Sequence, residues 1–213
     1  MDFDPYRNSA PLYDYFAGRL SVFLDRTRMR LAPPIQGMNV LDVGCGTGSD
    51  LKLYHQAGCN VHGVDLSPAM LKVAQRKFGK SADLQLCDAA DMPFEDEFFD
   101  LVLSTYTLHE MQYEHRPVVI REMIRVLKRD GHLLLIDFLP GPFPFPDGWM
   151  IRSLILLLEI MSGREHFNNG RDFLRRGGLL ELIKHSQLNI ESMTCLGAGN
   201  IGFFLLSSKL LVL

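Results

Sequence analysis

Between residues 39 and 138 the chain alternates short apolar runs with amphipathic segments. The runs predict strands at 39–43, 60–65, 83–87, 99–104 and 132–138. Between them, helical spacing covers 50–57, 69–78 and 116–128, the last with Val119, Met123, Ile124 and Leu127 on one face. Ser67-Pro68 suits a helix start, because serine accepts from free backbone N–H groups and proline fits the first turn. Strands that are apolar throughout are buried on both faces, as in a parallel sheet covered by helices. The strand–helix alternation then implies right-handed crossovers and a doubly wound α/β sheet.

After Leu139 the rhythm breaks. The run Pro140-Gly141-Pro142-Phe143-Pro144-Phe145-Pro146 suits neither a helix nor a central strand. It leads to an apolar helix at 149–161, a polar stretch around 163–170 and a helix at about 171–186. Segments 189–196 and 201–208 read as a closing hairpin, and the N-terminal part is helical from Leu12 to Met29. The apolar run at 149–161 is shorter than the roughly 20 residues a bilayer span needs.

Composition narrows the class. The 213 residues are 47% apolar and 22% charged, which is ordinary for one globular domain with a sizeable core. A net charge of −3 gives no global basic field, so no nucleic-acid partner is expected. The N-terminus is acidic and lacks an apolar h-region, so no signal peptide is expected and the protein reads as cytoplasmic. Cys45, Cys59, Cys87 and Cys195 are scattered, form no C-x-x-C pair and read as buried reduced thiols, with no metal site expected.

The strongest chemical signal is Val40-Leu41-Asp42-Val43-Gly44-Cys45-Gly46-Thr47-Gly48. A strand ends in Asp42, and a glycine loop opens a helix. Glycine lets the backbone bend tightly and approach a ligand, and the loop N–H groups point at an anionic end. The site lies at the carboxyl end of the first strand, where doubly wound sheets bind ligands. The spacing is G-x-G-x-G, not the dinucleotide G-x-G-x-x-G, and it suits a cofactor with an amino-acid end better than a pyrophosphate. Asp65 ends the second strand, where a carboxylate can accept from two ribose hydroxyls. Asp88 follows the third strand, placed to accept from an exocyclic amine beside the Ala89 N–H. Three carboxylates ending three successive strands say more than any one alone.

With these residues in view, residues 39–139 resemble the methyltransferase type 11 group of class I S-adenosylmethionine-dependent methyltransferases. The stretch from Phe99 to Phe138 is similar to that of quinone-biosynthesis C-methyltransferases. The resemblance implies a seven-stranded, mostly parallel sheet of order 3-2-1-4-5-7-6 with an antiparallel last strand and helices on both faces. It implies that Asp42 and the loop Gly44, Cys45, Gly46 and Gly48 serve the methionine end and Asp65 the ribose. Leu66 and Met70 would flank the adenosine, Asp88 and Ala89 read the adenine, and Ser104 lie along the cofactor. Tyr13 belongs to a segment resembling the one that closes over the cofactor. One domain results: 1–35 an N-terminal helical segment, 36–139 the cofactor core, 140–170 an apolar lid insertion and 171–213 the closing helix and hairpin. The insertion does not match the quinone enzymes closely enough to carry over their substrate.

Methyl transfer needs a nucleophile held in line behind an activated carbon, and a base only if that nucleophile is protonated. His109, in Thr105-Tyr106-Thr107-Leu108-His109-Glu110 after strand four, is the candidate base, and Tyr106 a candidate pocket residue. The large apolar side chains at 143–161 read as a lid over a lipophilic acceptor or as a core helix, with peripheral membrane contact left open. The expected function is methyl transfer to a small, lipid-like acceptor such as a quinone precursor. The alternative is a non-catalytic S-adenosylmethionine-binding regulatory or assembly protein.

Overall fold

The computed structural model describes residue 4, residues 6–7 and residues 10–208, and the side chains of 11–13, 15–22 and 161 lie outside that description. The described elements run α1 (Ala10–Leu31), β1 (Asn39–Val43), α2 (Leu51–Gln56), β2 (Asn60–Asp65), α3 (Pro68–Phe78), β3 (Ala82–Leu86) and β4 (Phe99–Thr105). They continue with α4 (Arg116–Val126), β5 (Leu127–Phe138), α5 (Asp147–Met161), α6 (Arg164–Arg175), α7 (Gly178–Lys184), β6 (Leu188–Leu196) and β7 (Ile201–Ser208). The sheet order is β3-β2-β1-β4-β5-β7-β6. The first five strands are parallel and β7 is antiparallel to both its neighbours. This is the expected doubly wound sheet.

Each face of the sheet buries its own cluster. On one, Leu24, Leu51, Tyr54 and Phe78 from α1–α3 pack on Val40, Val61, Leu101 and Phe203. On the other, Val119, Ile120, Met123, Phe173 and Ile183 from α4, α6 and α7 pack on Leu41, Val102, Leu133 and Leu206. The central strands β1, β4 and β7 are buried almost throughout, whereas the edge strands β3 and β6 alternate towards solvent. That difference places Cys45 and Cys59 in the interior but leaves Cys87 half-buried and Cys195 exposed, so only two of the four thiols are interior ones.

Several boundaries differ from those the sequence predicts. The expected helix 116–128 stops at Val126, because Phe99 pairs with Leu127 and draws that segment into β5. The next pair is Leu101 with His132, so Asp130-Gly131 sits in an irregularity of β5 and not in a turn before it. The helix expected at 171–186 is two helices. Gly177 and Gly178 take φ of +99° and +63°, which ends α6 and restarts the chain as α7. The polar stretch 163–170 supplies most of α6. The core-helix reading of 149–161 does not hold: α5 packs on α6 and exposes Trp149, Met150, Leu154, Leu157, Leu158 and Ile160. Among the described residues, no helix is long and apolar enough to cross a membrane.

The sequence pattern gave no sign of Arg28. Its side chain is completely buried, 2.6 Å from Asp25 and 2.8 Å from Asp50, and so ties α1 to the start of α2. Removing one member of a buried ion pair leaves its partners uncompensated, a loss of about 3 kcal/mol. Arg28→Ala should therefore lower the calorimetric melting temperature by roughly 6–12 °C at this chain length. An unshifted melting curve would show that the buried guanidinium contributes nothing net.

Candidate active site

The glycine loop is shaped by its own backbone. Gly44, Gly46 and Gly48 have φ of +74°, +51° and +74°. The Gly44 and Cys45 N–H groups donate to Val64 O at 2.9 and 3.0 Å, which fastens the loop across the tip of β2. A Cβ on Gly44 would lie 2.3 Å from Thr107 Cγ2, and one on Gly48 would lie 2.6 Å from Phe78 Cε2. A Cβ on Gly46 would meet nothing within 4 Å, so this position faces open space. The loop therefore combines two packed glycines with one that leaves its backbone approachable.

Asp65 organises the neighbouring tip. Its Oδ2 accepts from Gly46 N at 2.8 Å and its Oδ1 from Ser67 N at 2.7 Å. Ser67 Oγ accepts in turn from Met70 N at 3.1 Å, capping α3, and donates to Asp4 Oδ1 at 2.9 Å. Burial raises the Asp65 pKa, the amides of Ser67 and Gly46 pull it back, and Asp4 pushes it up again. Asp42, 2% exposed, is held well above the usual carboxylate range by burial and by Asp50, against the pull of Arg28. Asp42 and Asp65 thus form one acidic patch beside the loop.

The other predicted residues fall at different depths. Leu66 is 68% exposed at the β2 tip, whereas Met70 is buried beneath the start of α3 and offers no open face. Asp88 is exposed and uses Oδ1 to accept from Ala90 N at 2.9 Å, forming a local turn after the edge strand β3, with Ala89 buried beside it. Ser104 is buried and donates from Oγ to Val43 O at 3.1 Å, linking β4 to β1. Cys45 points inward, its Sγ 2.8 Å from where a Cβ on Gly63 would stand. The Tyr13 side chain lies outside the described residues. Asp4, Arg28 and Thr107 belong to the same region, and only contacts distant in sequence reveal them.

The turn after β4 is strained and heavily tied down. Tyr106 has φ +53°, unusual for a bulky residue, and its ring lies 5.0 Å from that of Phe138. His109 is 2% exposed, and its Nδ1 lies 2.7 Å from Asp137 Oδ1, while its backbone N–H donates to Asp137 Oδ2 at 3.1 Å. Its Nε2 faces Glu159 Oε1 of α5 at 3.5 Å. Burial alone would lower the His109 pKa, but Asp137 and Glu159 outweigh it and the value rises to about 10. In this arrangement the ring is an ion-paired imidazolium, not a free base poised near neutrality. Arg116, also buried, donates from Nε to Leu108 O and Met111 O, both at 3.1 Å, and from Nη2 to Asn169 O at 2.8 Å. It clamps this turn to α6.

A family model described as a methyltransferase domain matches residues 41–135. The ubiquinone/menaquinone biosynthesis C-methyltransferase of Citrifermentans bemidjiense is 30% identical over 172 residues, 75% of this chain and 72% of that protein. The chain belongs to the class I S-adenosylmethionine-dependent methyltransferases. S-adenosylmethionine is the cofactor of this family, and the open backbone at Gly46 beside the Asp42–Asp65 patch suits its amino-acid and ribose portions. The demethylmenaquinone methyltransferase of Renibacterium salmoninarum is 35% identical over 141 residues, 63% of this chain and 58% of that protein. A Mus musculus protein named "Probable tRNA methyltransferase 9B" is 32% identical over 131 residues, 61% of this chain. This chain spans only 28% of that relative's length and less than half of a demethylmenaquinone methyltransferase from Clavibacter sepedonicus. Among solved structures, a Pyrococcus horikoshii protein superposes with a TM-score of 0.67 at 19% identity, covering 96% of both chains. A S-adenosylmethionine-dependent methyltransferase from Aquifex aeolicus gives 0.63 at 20% identity, covering 96% of this chain and 99% of its own. At these identities the superpositions speak for the fold alone.

The loop geometry can be tested by a pair of substitutions. Gly44→Ala meets both a left-handed backbone, worth about 1–2 kcal/mol, and overpacking against Thr107, worth about 1–3 kcal/mol. Melting should show a loss of roughly 2–5 kcal/mol from the sum of the two. Adding Thr107→Gly should restore the overpacking part and leave the backbone part. If the double variant melts no higher than Gly44→Ala, Thr107 does not press on the loop.

Proposed function

We propose that this methyltransferase modifies a small lipophilic acceptor, such as a quinone precursor or a related lipid, at the turn after β4. The observation that carries the reading is the exposed apolar side of α5. Glu159 of that helix reaches His109, while Trp149, Met150, Leu154, Leu157 and Leu158 stay open to solvent. Large exposed apolar patches mark binding surfaces, and each such side chain gains about 1.5–3 kcal/mol on full burial. Arg164, Arg171 and Arg175 are exposed along the adjoining α6. An apolar helix flanked by arginines suits the headgroup region of an anionic membrane, from which a lipophilic acceptor could be drawn. The two quinone-biosynthesis relatives support the same acceptor class.

In this reading residues 140–170 act as the lid. Asp42 and the Gly44–Gly48 loop hold the methionine end, and Asp65 accepts from the ribose. Asp88 and Ala89 read the adenine beside Leu66, and Ser104 supports the β4 tip. When bound, S-adenosylmethionine supplies a methyl group already activated by its sulfonium charge. The chain's own task is to orient the acceptor and exclude water, which can supply up to roughly 7–11 kcal/mol. Tyr106 and His109 border the acceptor. The strained Tyr106 fixes the pocket wall, and the His109–Asp137 pair fixes the turn.

Two measurements test this. With methyl-labelled cofactor, label should pass into the lipid extract of a quinone-producing bacterium, and Tyr106→Ala should reduce the rate at least tenfold. Label entering transfer RNA and not the lipid fraction would reverse the acceptor assignment. Charged hydrogen bonds are worth about 1.5–3 kcal/mol each, so Asp65→Ala should weaken S-adenosylhomocysteine binding by roughly 10–100-fold in calorimetry. Equal affinity in a folded Asp65→Ala protein would remove the ribose role.

A further inference from the structure

Three potential ligands from three separate elements meet beside the turn after β4. His109 comes from that turn, Glu159 from α5 and His166 from α6. One ligating atom from each lies within 4.8 Å of the other two. Glu159 Oε1 is 3.1 Å from His166 Nε2 and 3.5 Å from His109 Nε2, and the two imidazole rings stand 5.3 Å apart at 79°. The cofactor-binding loop uses none of these three side chains.

Two further observations point to a ligand between them. His109 is 2% exposed, yet its Nε2 makes no hydrogen bond of normal geometry and is aimed at the Glu159–His166 pair. Among the described residues Glu159 Oε1 at 3.5 Å is its one near acidic neighbour, too far for a good hydrogen bond, which leaves room for a closer partner between them. Opposite it, a Cβ on Gly170 would lie 2.7 Å from Glu159 Oε2 and 3.6 Å from His109 Cδ2. A bare backbone at Gly170 lets the Glu159 carboxylate keep this position beside the rings without shifting.

Each imidazole is also backed by a second carboxylate. Asp137 Oδ1 is 2.7 Å from Nδ1 of His109, and Glu110 Oε1 is 3.7 Å from Nδ1 of His166. Glu110 in turn accepts from the Tyr6 hydroxyl at 3.1 Å. A carboxylate behind a histidine orients the ring and strengthens the other nitrogen as a donor. A metal ion at Nε2 would displace the proton that the metal-free imidazolium carries there, so binding releases protons.

We propose that His109, Glu159 and His166 bind a divalent transition-metal ion of the zinc type. Two imidazoles and one carboxylate suit zinc or its first-row neighbours, whereas magnesium and calcium favour oxygen-only shells. Donors at about 2.0–2.2 Å in a tetrahedral shell stand roughly 3.3–3.6 Å apart. The two Glu159 separations, 3.1 and 3.5 Å, lie near that spacing, and the third pair lies within 4.8 Å. Three protein ligands leave one position for water or for an oxygen of the acceptor. The ion ties α5 and α6 to the turn that carries Tyr106.

The test uses the full-length, tag-free protein stripped with a chelator and titrated with Co2+, whose tetrahedral nitrogen–oxygen complexes absorb strongly in the visible. One Co2+ per chain should give such bands, and Zn2+ should displace it and raise the melting temperature. Glu159→Gln and His166→Asn should each weaken Co2+ at least tenfold and abolish the Zn2+ shift. A spectrum of hexaaqua Co2+ at saturating metal overturns the site, as does unchanged Co2+ affinity in both variants. Should a variant fail to fold, the wild-type spectrum decides alone.

Discussion

The structure turns on keeping acidic side chains in a largely buried place at the ends of β1 and β2. Burial raises the pKa of both Asp42 and Asp65, and Asp50 and Asp65 add their charge to push Asp42 up further. Such a cluster persists only if cations and N–H donors surround it. Arg28 supplies the buried cation, and Gly46 and Ser67 supply amides to Asp65. The glycine loop therefore does two things at once. It leaves room for a ligand, and it presents backbone donors to a carboxylate that its own sheet has buried. Any side chain at Gly44 would collide with Thr107 and disturb both.

The second tip, after β4, is held by an opposite strategy. Instead of bare backbone, it is crowded with side chains that grip carbonyls and amides. Arg116 holds two carbonyls of the turn and one of α6, and Asp137 holds both the backbone and the ring of His109. Strain at Tyr106 survives because these contacts over-determine the turn. The result is a heavily tied turn after β4 that lies directly against the glycine loop, Thr107 facing Gly44. A reaction that depends on alignment would benefit from a turn held this tightly beside the loop.

Sequence reading recovered the periodic part of this protein and missed the part built from contacts distant along the chain. Strands β1, β2 and β7 stand where apolar runs place them, and Ser67-Pro68 starts α3 as a cap and first turn. The sheet order also agrees, though it came from resemblance and not from the pattern. The break at Gly177-Gly178 was lost because apolar spacing continues through it, and only positive φ at two successive glycines stops the helix. Among site residues, Asp65 is legible because a strand-ending acid before a capping serine has a local signature. Arg28, Asp137, Glu159 and His166 have none. Arg28 reads as a routine charge in an amphipathic helix, and its burial depends on Asp50, which lies beyond β1. Met70 carried a false signal: its apolar face packs inward, while the neighbouring Leu66 stands open.

Helix α5 shows why the apolar insertion could not be read as core. A core helix turns its apolar side to the sheet, but α5 touches the site through one polar residue, Glu159, which meets both His109 and His166. Glu159 itself is pulled below its usual range: burial opposes its charge, but the two imidazoles outweigh it and bring it down to about 2. Anchoring through a charged contact on one side leaves large apolar residues exposed on the other side among the described residues. Solvent is a poor place for Trp149, Leu154 and Leu157 together, so this surface gains most when something apolar covers it. The polar anchor fixes where the helix sits, and the apolar side selects what it meets there. In the proposed reading acceptor choice belongs to α5 and cofactor choice to the strand tips, so that the two could vary independently on one sheet.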